Sequence, residues 1–192
     1  MDQQLAMVVL TKEGRLIRPR PVERIEKETG MKRKVIGFTG TKDGMTNQQE
    51  KTVALLLEKE GCGCIFHHGD CVGADAQAHY FALKNKMTVI LHPALNVDPK
   101  YLANCQGASG YWMSKPALDR NKDIVDCCSL LIAAPKGFKE EQRSSVWYTI
   151  RYAVWTRIDV MVVWPDGRYE SIVTLPLEIN REVKQTSKRR LL

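Results

Sequence analysis

From Lys34 onward, short apolar runs alternate with segments of helical period, and glycine or proline punctuates nearly every change. That alternation constrains the fold more than any other feature. KVIGFTG (34–40) predicts a strand ending in glycines. Thr46 with Gln49 three residues on forms a capping-box pattern, and Val53, Leu56 and Leu57 follow at helical spacing, so 46–60 reads as an amphipathic helix. CIFHH, TVILHP, SLLIAAP and VMVVWP read as further strands, the last of them closing at Pro165-Asp166-Gly167. GADAQAHYFALKNK, 116–128 and 145–157 read as helices. The polar stretch 96–115 is too long for an idle connection. Strands alternating with helices imply right-handed βαβ units, hence an α/β fold: a doubly wound, mainly parallel sheet with helices on both faces.

Composition sets the bounds. The chain of 192 residues, 44% of them hydrophobic, suffices for one well-formed core. No run approaches the ~18 apolar residues that span a bilayer, and MDQQLAMVVLTKEGR lacks a signal pattern. Cys62, Cys64, Cys71, Cys105, Cys127 and Cys128 show no disulfide framework, and reduced thiols fit a soluble cytoplasmic protein with no membrane partner. Three parts are expected: an extension at 1–30 with a short hairpin around Glu13-Gly14, a domain at 31–170, and a basic tail at 171–192. Net charge is +7, and the tail carries Arg181, Lys184, Lys188, Arg189 and Arg190 against Glu178 and Glu182. The body is only mildly basic, which argues against nucleic acid as the partner. The sequence leaves open whether the chain forms a homo-oligomer.

In a parallel sheet the loops at the strands' carboxyl ends meet in one crevice. The first contributes Gly37, Thr39, Gly40, Thr41 and Lys42; the second His68, Gly69, Asp70, Gly73, Ala74 and Asp75. His92 ends the third strand. Pro135, Lys136, Gly137, Arg143, Ser144 and Ser145 lead from the fourth into the last helix. Glycine permits close backbone approach, and a helix N-terminus offers free N–H groups to an anion. Each loop taken alone reads first as an ordinary tight turn. Together they are candidates for one ligand site.

In that order, GFTGTKDGMT, HGDCVGADAQA, the pair Arg120-Asn121, LIAAPKG and RSSVWYTIRYA resemble the SLOG superfamily over roughly residues 33–168. That group joins lonely-guy phosphoribohydrolases, DNA-processing protein A and many nucleotide-binding proteins of bacteria and phages. The resemblance implies a Rossmann-like fold that binds a nucleotide or nucleotide derivative, with no further cofactor. In the lonely-guy enzymes an arginine precedes a P-G-G-x-G-T-x-x-E loop, and arginine and glutamate act on a ribose 5-phosphate. Arg120 stands fifteen positions before Pro135, the spacing of that arginine. A guanidinium there suits phosphate or ribose oxygens, although a surface ion pair with Asp123 is the plain alternative.

The loop departs from the pattern. Pro135-Lys136-Gly137 replaces P-G-G, FKEEQR is inserted, and Thr149 stands in the glutamate's place. Threonine cannot shuttle a proton as a carboxylate does, which leaves Glu140 and Glu141 as the substitute acids. Trp147 is either a stacking platform for a base or a core residue, and Tyr111 and Trp112 either cover a ligand or pack a loop. Asp75 either binds ribose hydroxyls or complements its helix dipole. Cys62, Cys64, His67, His68 and Cys71 lack a C-x-x-C pair, so no metal is expected. The expected function is to sense or sequester a nucleotide-derived molecule of ADP-ribose type, a phage sponge against defence signalling being one version. Hydrolysis of such a ligand is the alternative, and single-strand DNA binding the third class.

Overall fold

The computed structural model describes residues 33–61 and 63–173, with the backbone of two short strands ahead of them, β1 (Val9–Leu10) and β2 (Leu16–Ile17). These pair antiparallel, Val9 opposite Ile17. The rest of the extension, Cys62 and the basic segment from 174 lie outside the described residues.

The main sheet is built from β3 (Val35–Gly40), β4 (Ile65–His68), β5 (Thr88–Leu91), β6 (Gly110–Tyr111), β7 (Leu130–Ala134), β8 (Asp159–Val163) and β9 (Tyr169–Ile172). The helices are α1 (Asn47–Glu60), α2 (Ala74–Lys84), α3 (Ala117–Cys127) and α4 (Ser145–Trp155). Strand order is β6-β5-β4-β3-β7-β8-β9, parallel throughout except for β8 with β9. The chain winds outward from β3 through β4 and β5, then recrosses to β7, so the carboxyl ends of β3 and β7 flank the reversal. This is the doubly wound α/β architecture that the strand–helix alternation predicts.

Alternation along the strands divides the core. Ile36, Phe38, Phe66, Leu91, Ile132 and Ala134 face α1 and α2, where Val53, Leu57, Ala74, Ala78 and Ala82 meet them. Leu131, Ala133, Val160 and Val162 face α3 and α4 through Val125, Val146, Ile150 and Ala153. With both faces covered, β7 is buried at every position, as a central parallel strand must be. The capping box forms: Thr46 Oγ1 accepts from Gln49 N–H at 3.1 Å, and Gln49 Oε1 accepts from Thr46 N–H at 3.0 Å. The buried Gln49 amide then donates to Pro135 O at 2.8 Å and Val163 O at 3.0 Å, fastening α1 to the ends of β7 and β8.

Two strands go beyond the expected set. VMVVWP is not the last strand: the turn at Gly167 (φ +84) leads into β9, antiparallel on β8. Every β9 residue is exposed, so no apolar alternation marks it in the sequence, and it runs past residue 170, where composition places the tail. β6 is two residues inside the long polar segment, held where Ser109 N–H donates to Val89 O and Trp112 N–H to Leu91 O.

The loops after β3 and β4 touch through a glycine. Gly73 sits at φ +83, and a Cβ there would lie 2.3 Å from the Lys42 carbonyl oxygen. Gly63 has φ +97 but nothing within 4 Å. Gly73→Ala should therefore cost about 2–4 kcal/mol, and Gly63→Ala, with backbone strain alone, about 1 kcal/mol. Urea unfolding measures both; equal losses would contradict the contact between the loops.

Candidate functional site

The loops close on one another by backbone bonds. Thr41 N–H donates to Ala134 O at 3.1 Å, and Ala74 N–H to Thr41 O at 3.0 Å, so the ends of β3, β4 and β7 share a single rim. They enclose a cleft of about 530 Å³. Thr39, Gly40, Thr41, Lys42 and Asp43 line it from the first loop; Gly69, Cys71 and Asp75 from the second. Ala94, Val97, Tyr101 and Ala117 form an apolar side. Arg120, Asn121 and Ile124 of α3 supply another wall, and Lys136, Glu141, Arg143, Ser144, Ser145 and Val146 the segment after β7. At the mouth Lys136 Nζ meets Asp43 Oδ2 at 2.7 Å, an exposed pair, and Lys42 Nζ lies 4.9 Å from the centre of the Tyr101 ring.

Arg120 defines the floor. It is only 4% exposed. One terminal nitrogen donates to the His92 carbonyl at 2.8 Å, and the other lies 3.4 Å from Cys71 Sγ. Its Nε–H has no partner among the described residues. Gly69 makes room for it: a Cβ on Gly69 would sit 1.7 Å from the guanidinium. Asp75 lies alongside, and its Oδ2 accepts from Gly69 N–H at 3.0 Å and Cys71 N–H at 3.3 Å. Burial raises the Asp75 carboxyl to about 6, although the Arg120 charge and those two N–H donors pull the other way. Burial likewise raises the Cys71 thiol above its ordinary value, with Asp75 adding and Arg120 opposing.

Histidines back this floor. His67 Nδ1 and His92 Nε2 are 2.7 Å apart, and Trp112 stacks on His92 at 5.1 Å. His68, His79 and Cys105 bring three ligand atoms close enough to hold a metal. Their hydrogen bonds argue against one. His79 Nε2 lies 2.9 Å from Gln106 O, which makes Nε2 the protonated nitrogen and leaves Nδ1 to accept from His68 Nε2 at 2.9 Å. His68 Nδ1 in turn accepts from Asp70 N–H at 3.2 Å. A metal on His68 Nε2 would move that proton to Nδ1, against a backbone donor.

Several candidates from the sequence do not line the cleft. His68 is fully buried in the chain just described. Asp70 turns its Oδ1 to Cys105 N–H at 2.9 Å. His92 contributes its carbonyl to Arg120 rather than its ring to the cleft. Gly37 packs on Cys128, where a Cβ would come within 2.9 Å of Sγ. Trp147 is a core residue 6.1 Å from Trp164, not a stacking platform. Gly73, Ala74, Pro135 and Gly137 shape the rim without lining it. Glu140 pairs outward with Arg151 at 2.7 Å, whereas Glu141 lines the cleft. Thr149 is buried, accepts from Asn121 Nδ2 at 2.9 Å and donates to Ser145 O at 2.8 Å. Composition and spacing gave no signal for Asp43, Cys71, Ala94, Val97, Tyr101 or Ala117.

No family model and no curated protein matches the chain in sequence. Solved structures do match. The molybdenum cofactor binding protein from Rippkaea orientalis shares 18% identity at TM-score 0.54, over 69% of this chain and 77% of that one. DNA processing protein A from Streptococcus pneumoniae shares 21% at TM-score 0.54, over 68% of this chain but only half of its own length. The chain shares the Rossmann-like fold of these proteins. The Moco carrier protein from Chlamydomonas reinhardtii superposes at TM-score 0.50 with 15% identity, over 70% of this chain and 77% of that one. Among the described residues, no helix is long and apolar enough to cross a membrane.

Two outcomes follow from the geometry. Gly69→Ala should expel the Arg120 side chain from its seat, cutting stability by about 2–4 kcal/mol in urea unfolding; a loss under ~1 kcal/mol would mean that the guanidinium has room elsewhere. Burial depresses His67 to about 4, His92 to about 2 and His68 well below its ordinary value. These rings stay neutral in the fold but take protons below about 6.5 once unfolded, so their contribution is full above 6.5 and lost as pH falls. Asp75 acts oppositely: its raised value favours the fold only below about 6. Three rings outweigh one carboxyl, so the melting temperature should drop steadily from pH 7 to 4.5; a flat or rising profile would contradict neutral burial of the rings.

Proposed function

We propose that the protein binds a phosphate-bearing, nucleotide-derived small molecule in the strand-end cleft and holds it without cleaving it. The observation that carries this reading is Arg120: a guanidinium costly to bury, with an unpartnered Nε–H, in a wall of the cleft. A phosphate oxygen beside the guanidinium would offset the buried charge, and a small rotation of the side chain would bring its Nε–H, sealed in this arrangement, to that oxygen. Lys42, Lys136 and Arg143 add cationic groups at the mouth, Ser145 opens α4 toward the cleft, and the apolar side at Ala94, Val97 and Ala117 suits a base or similar ring.

Retention rather than turnover is favoured because the hydroxyl of Thr149 is already committed to Asn121 and Ser145. A second reading, hydrolysis of a glycosidic or related bond, rests on two carboxyls in the cleft, Glu141 and Asp75, the latter raised toward neutrality. An ADP-ribose-type signal, sensed or sequestered in bacterial or phage defence, is the ligand class we favour. The molybdenum cofactor and single-stranded DNA belong on the test panel because similar folds are named for binding the first and processing DNA.

Calorimetry against AMP, ADP-ribose, cyclic ADP-ribose, molybdenum cofactor and single-stranded DNA, with chromatography of each mixture, tests both readings. A binder from the nucleotide group should be recovered intact. Arg120→Ala should weaken it about 10- to 100-fold, the worth of one charge-assisted contact. Lys42→Ala with Lys136→Ala, at exposed positions, should also weaken it while leaving the fold intact. Turnover abolished by Asp75→Asn or Glu141→Gln would replace the binding reading with the hydrolytic one, and binding of none of the compounds would contradict both.

A further inference from the structure

β9 is the outermost strand of the seven-stranded sheet, and all four of its residues are exposed. At the closed end of its hairpin, Trp164 N–H donates to Arg168 O at 2.7 Å. Hydrogen-bonded and non-bonded pairs alternate along an antiparallel ladder. Counting from that bond, Glu170 opposite Val162 and Ile172 opposite Val160 are bonded to β8; Tyr169 opposite Val163 and Ser171 opposite Met161 are not. The N–H and C=O groups of Tyr169, Ser171 and Val173 therefore point away from the sheet, where no described strand meets them.

An edge of this kind is a template for another strand; its four-residue length and Glu170 limit indiscriminate pairing, but proline, lysine and a bulge, which would block pairing outright, are missing. YESIV contains no proline and no lysine, and no described bulge interrupts its register with β8. Tyr169 is 52% exposed and Val173 62%.

We propose that β9 pairs antiparallel with β9 of a second copy of this chain, about a twofold axis at Ser171, joining the two sheets into one. This register alone pairs all three outward-pointing residues: Ser171 with its own copy, and Tyr169 with Val173 on either side. It sets an aromatic ring against a β-branched side chain twice, on the face shared with Met161 and Val163, and covers two of the exposed apolar groups. Glu170 falls opposite Ile172 and away from its own copy. An axis at Glu170 would oppose the two carboxylates directly, and axes at Glu170 or Ile172 would each leave one outward residue unpaired. For a second copy of this chain, charge and hydrogen-bond register thus select one arrangement. The pairing strand is short, so the dimer should dissociate on dilution.

Sedimentation of the full chain from about 1 µM to about 1 mM should show monomer passing to twice the 21.8 kDa chain mass. Ser171→Pro removes an outward N–H and no bond to β8, so it should leave circular dichroism and melting unchanged and hold the chain monomeric. Ser171→Cys should cross-link to a dimer under a mild oxidant where wild type does not, because bonded antiparallel pairs hold their Cα atoms ~5.5 Å apart, within disulfide reach. A wild-type chain monomeric throughout overturns the proposal. So does a dimer that survives Ser171→Pro and fails to cross-link through Ser171→Cys, since it would use another surface.

Discussion

A guanidinium held almost out of water at the carboxyl end of a parallel sheet is the constraint to which the rest of the site answers. Arg120 comes from α3 yet reaches the His92 carbonyl at the end of β5 and Cys71 in the loop after β4. Its seat exists because residue 69 has no side chain. The buried charge keeps neighbouring rings neutral, adding to burial in depressing His68 and His92, and it holds down an Asp75 carboxyl that burial alone would raise further. Burying a charge with one donor unspent costs stability, a cost that folds commonly carry where a ligand completes the network.

The same arrangement separates holding a ligand from transforming it. Lys42, Lys136 and Arg143 can attract an anion toward Arg120 and the start of α4. Proton transfer needs a carboxyl that is free and aimed at the reacting bond. Glu140 is turned outward to Arg151, Thr149 is bound on both sides, and Asp75 already accepts two backbone donors. Glu141 is the carboxyl in the cleft for which no such engagement is described. With those acids engaged and cations lining the cleft, the balance favours affinity over proton transfer.

Much of this was legible in the residues because local and global signals agreed. Apolar runs gave the parallel strands, and Thr46 with Gln49 marked the start of α1. The glycines of the first two loops pointed at the crevice. Arg120 was legible by spacing and by resemblance, but its burial was not, since DRNKDIVD reads equally well as a solvated helix face. What periodicity could not reveal were features set by tertiary contact alone. β9 is exposed on both faces, and β6 is too short to carry a pattern. Tyr101 and Val97 reach the cleft only through the path of an irregular loop. The side chains of His68 and Asp70 were misdirected for a common reason: sequence places a residue near a strand end but does not say which way it turns, and these two turn toward His79 and Cys105.

The most direct test of the central claim is mass spectrometry of the small molecules released when purified protein is denatured, wild type beside Arg120→Ala. A phosphate-bearing, nucleotide-like species recovered intact from wild type and depleted from the variant is what the unspent Nε–H and the cationic cleft predict. Recovery of a species without phosphate, or of the same species in equal amount from both proteins, would contradict the assignment of Arg120 as the ligand's anchor.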